Sequence, residues 1–167
     1  MSEFKSLNEN INKQPANLEA EQALLGSILV NNDIIDEVSN IANSSYFYDP
    51  AHVKIFEVIE NLNSKGMIAN PITLKNYFEK DNMLSEVGGT EYLVKLTRFS
   101  GSAKQANDYA KIIHEMYLRR ELIQISDQLN SNTLNANLQE QNAEKIIENT
   151  ERSLFDLAER GSFSQSF

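Results

Sequence analysis

Residues 116–129, MYLRRELIQISDQL, and residues 143–157, AEKIIENTERSLFDL, decide the fold. In both stretches the apolar positions recur at alternating steps of four and three, which is typical of two helices packed nearly in line. The predicted seam consists of Leu118, Leu122, Ile125 and Leu129 on the first helix and Ala143, Ile147, Thr150, Leu154 and Leu157 on the second. Because residues 131–141 between them are polar and rich in Asn, we predict an antiparallel helical hairpin.

Upstream of these stretches, prolines and glycines punctuate the chain into shorter helices. Asp49 precedes Pro50 and Asn70 precedes Pro71, and each pair places a capping side chain before a residue that needs no N–H at a helix start. Residues 102–160 contain neither glycine nor proline, so the helices become long there. We predict an all-α chain: a globular bundle of short helices followed by a long antiparallel helical hairpin.

The same punctuation predicts the division of the chain. Residues 1–14 are polar with scattered apolar side chains, which indicates a disordered N-terminal arm. Residues 15–101 are expected to form the globular helical subdomain, and residues 102–161 the hairpin.

Composition and charge restrict the class of function. The chain has 167 residues, no cysteine and a formal net charge of −9, with a pI near 4.7. An acidic surface repels nucleic-acid backbones, so protein partners are favoured over DNA. The start of the sequence lacks the apolar core of a secretion signal, and no stretch is long and apolar enough to span a membrane. We therefore expect a cytoplasmic protein without membrane contact.

The sequence matches none of the enzyme templates considered. No glycine is followed by lysine, which a phosphate-binding P-loop requires, and no G-x-S-x-G motif occurs. Gly88 and Gly89 are interpreted as a turn. His52 and His114 lie on different predicted helices without a second metal ligand at helical spacing, so each is interpreted as a surface or partly packed histidine. We expect no catalytic, cofactor-binding or metal-binding residue here.

Two further features concern possible partners. Arg119 and Arg120, flanked by acids, could bind an acidic partner or a phosphate, but we interpret them as a solvated face with ion pairs between successive turns. Apolar residues beyond the seam must be covered either by the globular part or by another chain. We predict that Tyr109, Ile112, Met116 and Ile123 form the oligomer interface. The second helix also carries apolar residues beyond the seam, Ile146 and Phe155.

Four stretches in register resemble the N-terminal domain of the bacterial replicative DNA helicase, the DnaB family. They are residues 17–29, NLEAEQALLGSIL; residues 47–59, FYDPAHVKIFEVI; residues 84–96, LSEVGGTEYLVKL; and residues 110–123, AKIIHEMYLRRELI. The resemblance covers roughly Pro15 to Gly161 and implies the same division into a bundle and a hairpin.

The resemblance implies a role in assembly and docking. In this family the N-terminal domains form the collar of a hexameric ring, pairing through their hairpins, and the collar binds primase within the primosome. The parent protein is then expected to be an ATP-dependent DNA helicase whose ATP, Mg²⁺ and DNA contacts belong to an absent C-terminal ATPase domain, with residues 162–167 beginning the linker. Initiator or loader proteins are possible further partners. We predict that primase docks at Leu134, Leu138, Ile146 and Phe155.

Two other functions stay open from the sequence. One is a module that guides single-stranded DNA through the ring, which would need basic residues and aromatic side chains on one face. Here Lys and Arg number 15 against 24 acidic residues and are dispersed among them. The other is a stand-alone helical partner protein of the same ancestry.

Overall fold

The computed structural model describes residues 14–135 and 142–161, and these form seven α-helices and no strand. The helices are α1 (Leu18–Val30), α2 (Ile35–Ile41), α3 (Pro50–Ser64), α4 (Pro71–Lys80), α5 (Gly89–Thr97), α6 (Ala103–Leu134) and α7 (Ala143–Gly161). Short 3-10 turns occur at Asn32–Ile34, Ser44–Tyr46 and Ser85–Val87. The predicted all-α bundle followed by a hairpin is confirmed. Residues 1–13, Leu138 and the predicted linker lie outside the described residues.

Local capping explains where the helices begin. The side chain of Asn17 accepts a hydrogen bond from the Ala20 N–H at 2.9 Å. Asp49 caps α3 in the same way, and Asn70 caps α4 as half of a reciprocal capping box. A second capping box, at Ser102, begins α6. Each cap satisfies N–H groups that the first helical turn leaves unpaired, which is why these boundaries could be predicted.

α1 lies at the centre of the bundle core. Its side chains Leu24, Leu25 and Ile28 are fully buried. The first half of α6 belongs to the same core, through side chains such as Ala110 and Ile113. Burying a leucine or isoleucine side chain contributes about 1.5–3 kcal/mol, so this cluster holds α6 firmly against the short helices.

Gly26 permits a close approach of α1 to α5. A Cβ atom at this position would lie 1.9 Å from the carbonyl oxygen of Leu96, so only glycine fits without displacing a helix. The next residue, Ser27, accepts a hydrogen bond from the Gly101 N–H at 2.9 Å and so fixes the turn that precedes α6.

The second half of α6 packs against α7 as an antiparallel hairpin. Leu157 is buried at this contact, and a Cβ at Gly161 would lie 3.4 Å from Leu118. The predicted seam is wrong for four residues that are 47%, 39%, 58% and 43% exposed, namely Leu122, Leu129, Ile147 and Leu154. None of the helices in the described ranges has the length and apolarity needed to cross a membrane.

Candidate protein-interaction surfaces

A buried carboxylate joins α1 to the start of α3. Glu21 is 1% exposed, and its side chain accepts hydrogen bonds from the backbone N–H groups of Tyr48 at 2.8 Å and Asp49 at 3.3 Å. Its Oε1 also lies 2.8 Å from Nδ1 of His52. From the sequence, no role of its own is predicted for Glu21. The missed signal is that Glu21 shares the helical stripe of the buried Leu25 and Ile28, where a charge needs buried partners.

The hydrogen-bond chain continues to α5. Nε2 of His52 lies 2.6 Å from the Tyr92 hydroxyl, which in turn accepts a hydrogen bond from Gln22 at 3.2 Å. Burial raises the pKa of Tyr92, so its O–H stays available as a donor. His52 and His114 are 1% and 4% exposed, so the interpretation of surface or partly packed histidines is wrong. Three helices are thereby cross-linked by polar contacts inside the bundle.

The two adjacent arginines of α6 have different environments. Arg119 pairs with Glu115 at 3.0 Å on an exposed face, as predicted. Arg120 is instead half-buried and donates hydrogen bonds to the carbonyl oxygens of Pro15 at 2.7 Å and Tyr46 at 2.6 Å. Burial lowers the pKa of the Arg120 guanidinium. The solvated-face interpretation is therefore wrong for Arg120, because sequence spacing cannot reveal partners so far away along the chain.

An aromatic contact connects the bundle to the base of the hairpin. The rings of Tyr46 and Tyr117 stack with centroids 4.1 Å apart. Arg160, at the end of α7, donates a hydrogen bond to the Tyr117 hydroxyl at 2.9 Å. The C-terminal end of α7 is thereby held at the bundle.

One side of the hairpin is apolar and exposed, and we call it the apolar hairpin face. It comprises Leu122 and Leu129 on α6 and Ile147 and Leu154 on α7, which are 47%, 39%, 58% and 43% exposed. Members of each pair are seven residues apart and so lie on one side of their helix. Exposed apolar side chains that share one side of a helix are typical of protein-binding surfaces.

The other side of the α6–α7 contact is polar. A groove of about 190 Å³ runs there between the helices. Its polar lining includes Glu121, Gln124, Gln128, Ser153, Asp156 and Arg160. At 100° per residue, Gln124 and Gln128 point roughly 130° away from Leu122 and Leu129. The hairpin is therefore amphipathic as a unit.

The residues chosen from the sequence as interfaces lie in three environments. Tyr109 and Ile112 are half-buried and pack against the bundle core. Met116, Ile123 and Ile146 are half-buried as well. Leu134 and Phe155 are 77% and 63% exposed. On α6, the four predicted interface residues Tyr109, Ile112, Met116 and Ile123 lie on a different side from the apolar hairpin face. The residues of that face had been predicted to form the seam between α6 and α7.

Potential metal ligands are dispersed over the part of the chain that the structure describes. Within residues 14–135 and 142–161, no group of three or more His, Cys, Asp or Glu side chains is arranged to hold a metal ion. Gly88 forms the predicted turn before α5 and Gly89 begins that helix, with φ angles of 94° and 76°.

Comparison with known proteins agrees with this fold. The DnaB-like helicase N terminal domain family matches residues 13–115. The replicative DNA helicases DnaB of Rickettsia conorii and Rickettsia typhi are each 40% identical over 153 residues, covering 92% of this chain and 31% of those proteins. That of Pasteurella multocida is 31% identical over 150 residues, covering 90% of this chain and 32% of that protein. The chain thus spans about a third of the length of these curated relatives.

Solved structures show the same architecture. The crystal structure of the N-terminal domain of DnaB helicase from Mycobacterium tuberculosis has a TM-score of 0.77 and 26% identity, over 86% of this chain and 99% of that one. A DnaB-like replicative helicase, whose structure was described together with its interactions with primase, has a TM-score of 0.68 at 23% identity, over 84% of this chain and 31% of that one. That second likeness concerns the fold alone. Since the family match extends over more than half of its residues, this chain belongs to the family of DnaB-like helicase N-terminal domains.

Proposed function

We propose that this segment assembles a replicative DNA helicase and presents a docking surface to primase during DNA replication in the cytoplasm. The observation that carries the proposal is the apolar hairpin face. Leu122, Leu129, Ile147 and Leu154 expose apolar surface on two helices that their own chain holds rigidly. A second hairpin of the same sequence offers a complementary apolar surface, as two-fold pairing requires.

The pairing geometry follows from the amphipathic hairpin. Two hairpins that meet through Leu122 and Ile147 would remove apolar area from water while leaving the polar groove hydrated on each outer side. Paired domains could then build a hexameric collar in the full-length protein. The four residues chosen from the sequence, Tyr109, Ile112, Met116 and Ile123, form the alternative pairing surface, supported by their position on the same long helix.

Paired substitutions separate the two surfaces. Leu122→Asp with Leu154→Asp should convert a self-associating chain to a monomer in sedimentation equilibrium, because two charges would be buried at the contact. Ile112→Asp with Met116→Asp is the matched pair on the alternative surface. Circular dichroism checks that both variants keep their helicity. If dimers persist in the variant with Leu122→Asp but disappear in the variant with Ile112→Asp, the interface lies on the alternative surface. Dimers that persist in both folded variants would contradict pairing through either.

For primase we propose docking at the hairpin turn and α7, through Leu134, Leu138, Ile146 and Phe155. Leu134 and Phe155 support this choice by being largely exposed. Replacing both with alanine should weaken binding of the purified helicase-interacting domain of primase at least tenfold, since a few side chains at the centre of an interface carry most of the binding energy. Lys104→Ala, at the exposed start of α6, is the control. An unchanged dissociation constant would remove these two residues from the docking site.

The remaining parts of the proposal concern the parent protein. We propose that residues 15–101 and 102–161 are its globular subdomain and hairpin, and that a linker from residue 162 leads to an ATPase domain outside this sequence. ATP and Mg²⁺ would bind there, making the parent an ATP-dependent DNA helicase that contacts DNA mainly through that domain. This segment would then contribute assembly and docking without a reaction of its own. Initiator or loader proteins would be additional partners of the assembled ring.

A further inference from the structure

A second surface, separate from the apolar hairpin face, lies between α1 and the first part of α6. It is a groove of about 490 Å³, within the range of roughly 300–1,000 Å³ typical of binding pockets. The lining residues are Asn17, Glu19, Ala20, Gln22, Ala23, Phe99, Tyr109 and Ile112. We call it the α1–α6 groove.

The shape of the groove comes from the size of its lining side chains. Ala20 and Ala23, three residues apart on α1, are too small to fill the space beside α6. Tyr109 and Ile112 form the opposite wall, one turn apart. Phe99, in the turn before α6, is 40% exposed although its ring is fully apolar. An exposed phenylalanine beside a concave apolar floor is the arrangement that binds an apolar side chain from a partner.

The charge of the groove narrows the choice of partner. Among the described residues that line it, Glu19 is the only charged one, and it is exposed at the rim of α1. The chain as a whole carries a formal charge of −9, so a cationic partner is attracted to the protein overall. A partner with a lysine or arginine beside its apolar residues would gain a pair with Glu19, whereas an acidic partner would be repelled.

The length of the groove fits a helix. From Asn17 to Ala23, α1 advances about 9 Å, which corresponds to nearly two turns, and Phe99 extends the apolar surface further. Two packed helices seat a third in the groove between them, through residues spaced three and four apart. We propose that the α1–α6 groove binds an amphipathic helix of another protein, with apolar residues on one face and a lysine or arginine that pairs with Glu19. This inference rests on pairing through the apolar hairpin face, because Tyr109 and Ile112 of the groove also belong to the alternative pairing surface.

The test uses the full 167-residue chain and a synthetic helical peptide of leucine and lysine, with leucines spaced three and four apart. The same peptide with glutamate in place of lysine is the control. Methyl NMR spectra of labelled alanine and isoleucine should show shifts confined to Ala20, Ala23 and Ile112. Phe99→Ala should weaken the lysine peptide about tenfold or more, as expected for an anchoring aromatic. Ile72→Ala, at an exposed apolar residue on α4, should leave the affinity unchanged.

Charge recognition has its own measurement. Glu19→Gln should weaken the lysine peptide by about two- to fivefold at low salt, and the difference should shrink as salt is added. Equal binding of both peptides, or wild-type affinity in Phe99→Ala, would overturn the proposal. So would shifts of the Ala20, Ala23 or Ile112 methyl groups that depend on protein concentration without peptide, which would make a second copy the occupant. A gain in peptide affinity on deletion of residues 1–13 would assign the groove to that segment and also overturn it.

Discussion

Replacing Glu21 with alanine tests whether the buried polar network stabilises the bundle. The substitution leaves the Tyr48 and Asp49 N–H groups and Nδ1 of His52 without their acceptor, at distances of 2.8, 3.3 and 2.8 Å in the intact protein. An unsatisfied buried donor costs about 1–3 kcal/mol. The Asp49 contact is long and contributes least, so we expect the three lost contacts together to cost about 3–5 kcal/mol.

The assay is unfolding followed by circular dichroism, with urea and with heat. For a chain of this size, 1 kcal/mol corresponds to about 2–4 °C, so the midpoint should fall by roughly 6–20 °C. Glu19→Ala, two residues away on the exposed side of α1, is the matched control and should cost less than about 1 kcal/mol. Glu21→Gln should be intermediate because its amide keeps one acceptor oxygen. If Glu21→Ala lost no more stability than Glu19→Ala, the network would not stabilise the fold.

Three other substitutions test the bundle. Gly26→Ala should lower the free energy of unfolding in urea by at least about 2 kcal/mol, since the new Cβ would lie 1.9 Å from a carbonyl oxygen of α5; an unchanged midpoint would refute the close approach. Arg120→Met should cost about 2–3 kcal/mol in the same assay by removing two buried hydrogen bonds, whereas Arg119→Met should cost less than about 1 kcal/mol. Burial raises the pKa of Glu60 above its ordinary 4.5, and the nearby Glu57 raises it further. The folded state therefore holds this proton more tightly than the unfolded state does, so the free energy of unfolding falls as pH rises past 4.5. Glu60→Gln should therefore raise the thermal midpoint at neutral pH, and a gain that persists below about pH 4 would contradict this cause.

The fold could be predicted because its boundaries are set by neighbouring residues. Asp49 with Pro50 and Asn70 with Pro71 contain the whole physical reason for a helix start within a few positions. The length of α6 similarly follows from the absence of glycine and proline between residues 102 and 160. Local rules of this kind do not require knowledge of which helices meet.

The buried network could not be predicted in the same way. His52 meets Glu21 across 31 positions, and Arg120 meets Pro15 across 105. Partners this far apart in sequence produce no periodic pattern, so residue spacing predicts that His52 and Arg120 lie on ordinary helix faces. Glu21 is an exception that the sequence could have revealed, because a carboxylate on the same side of the helix as the apolar Leu25 indicates a buried partner.

The seam of the hairpin shows a different limit of sequence reasoning. A heptad pattern states that a helix has an apolar side, but it does not state which polypeptide covers that side. The first half of α6 turns Ala110 and Ile113 toward the bundle, and Arg160 ties the end of α7 to Tyr117 on the same helix. Leu122 and Ile147 are thereby rotated away from the contact, and the apolar repeat that predicted an intramolecular seam becomes surface. A second polypeptide is then the partner that satisfies the pattern, and it is on this ground that pairing of the hairpins is proposed.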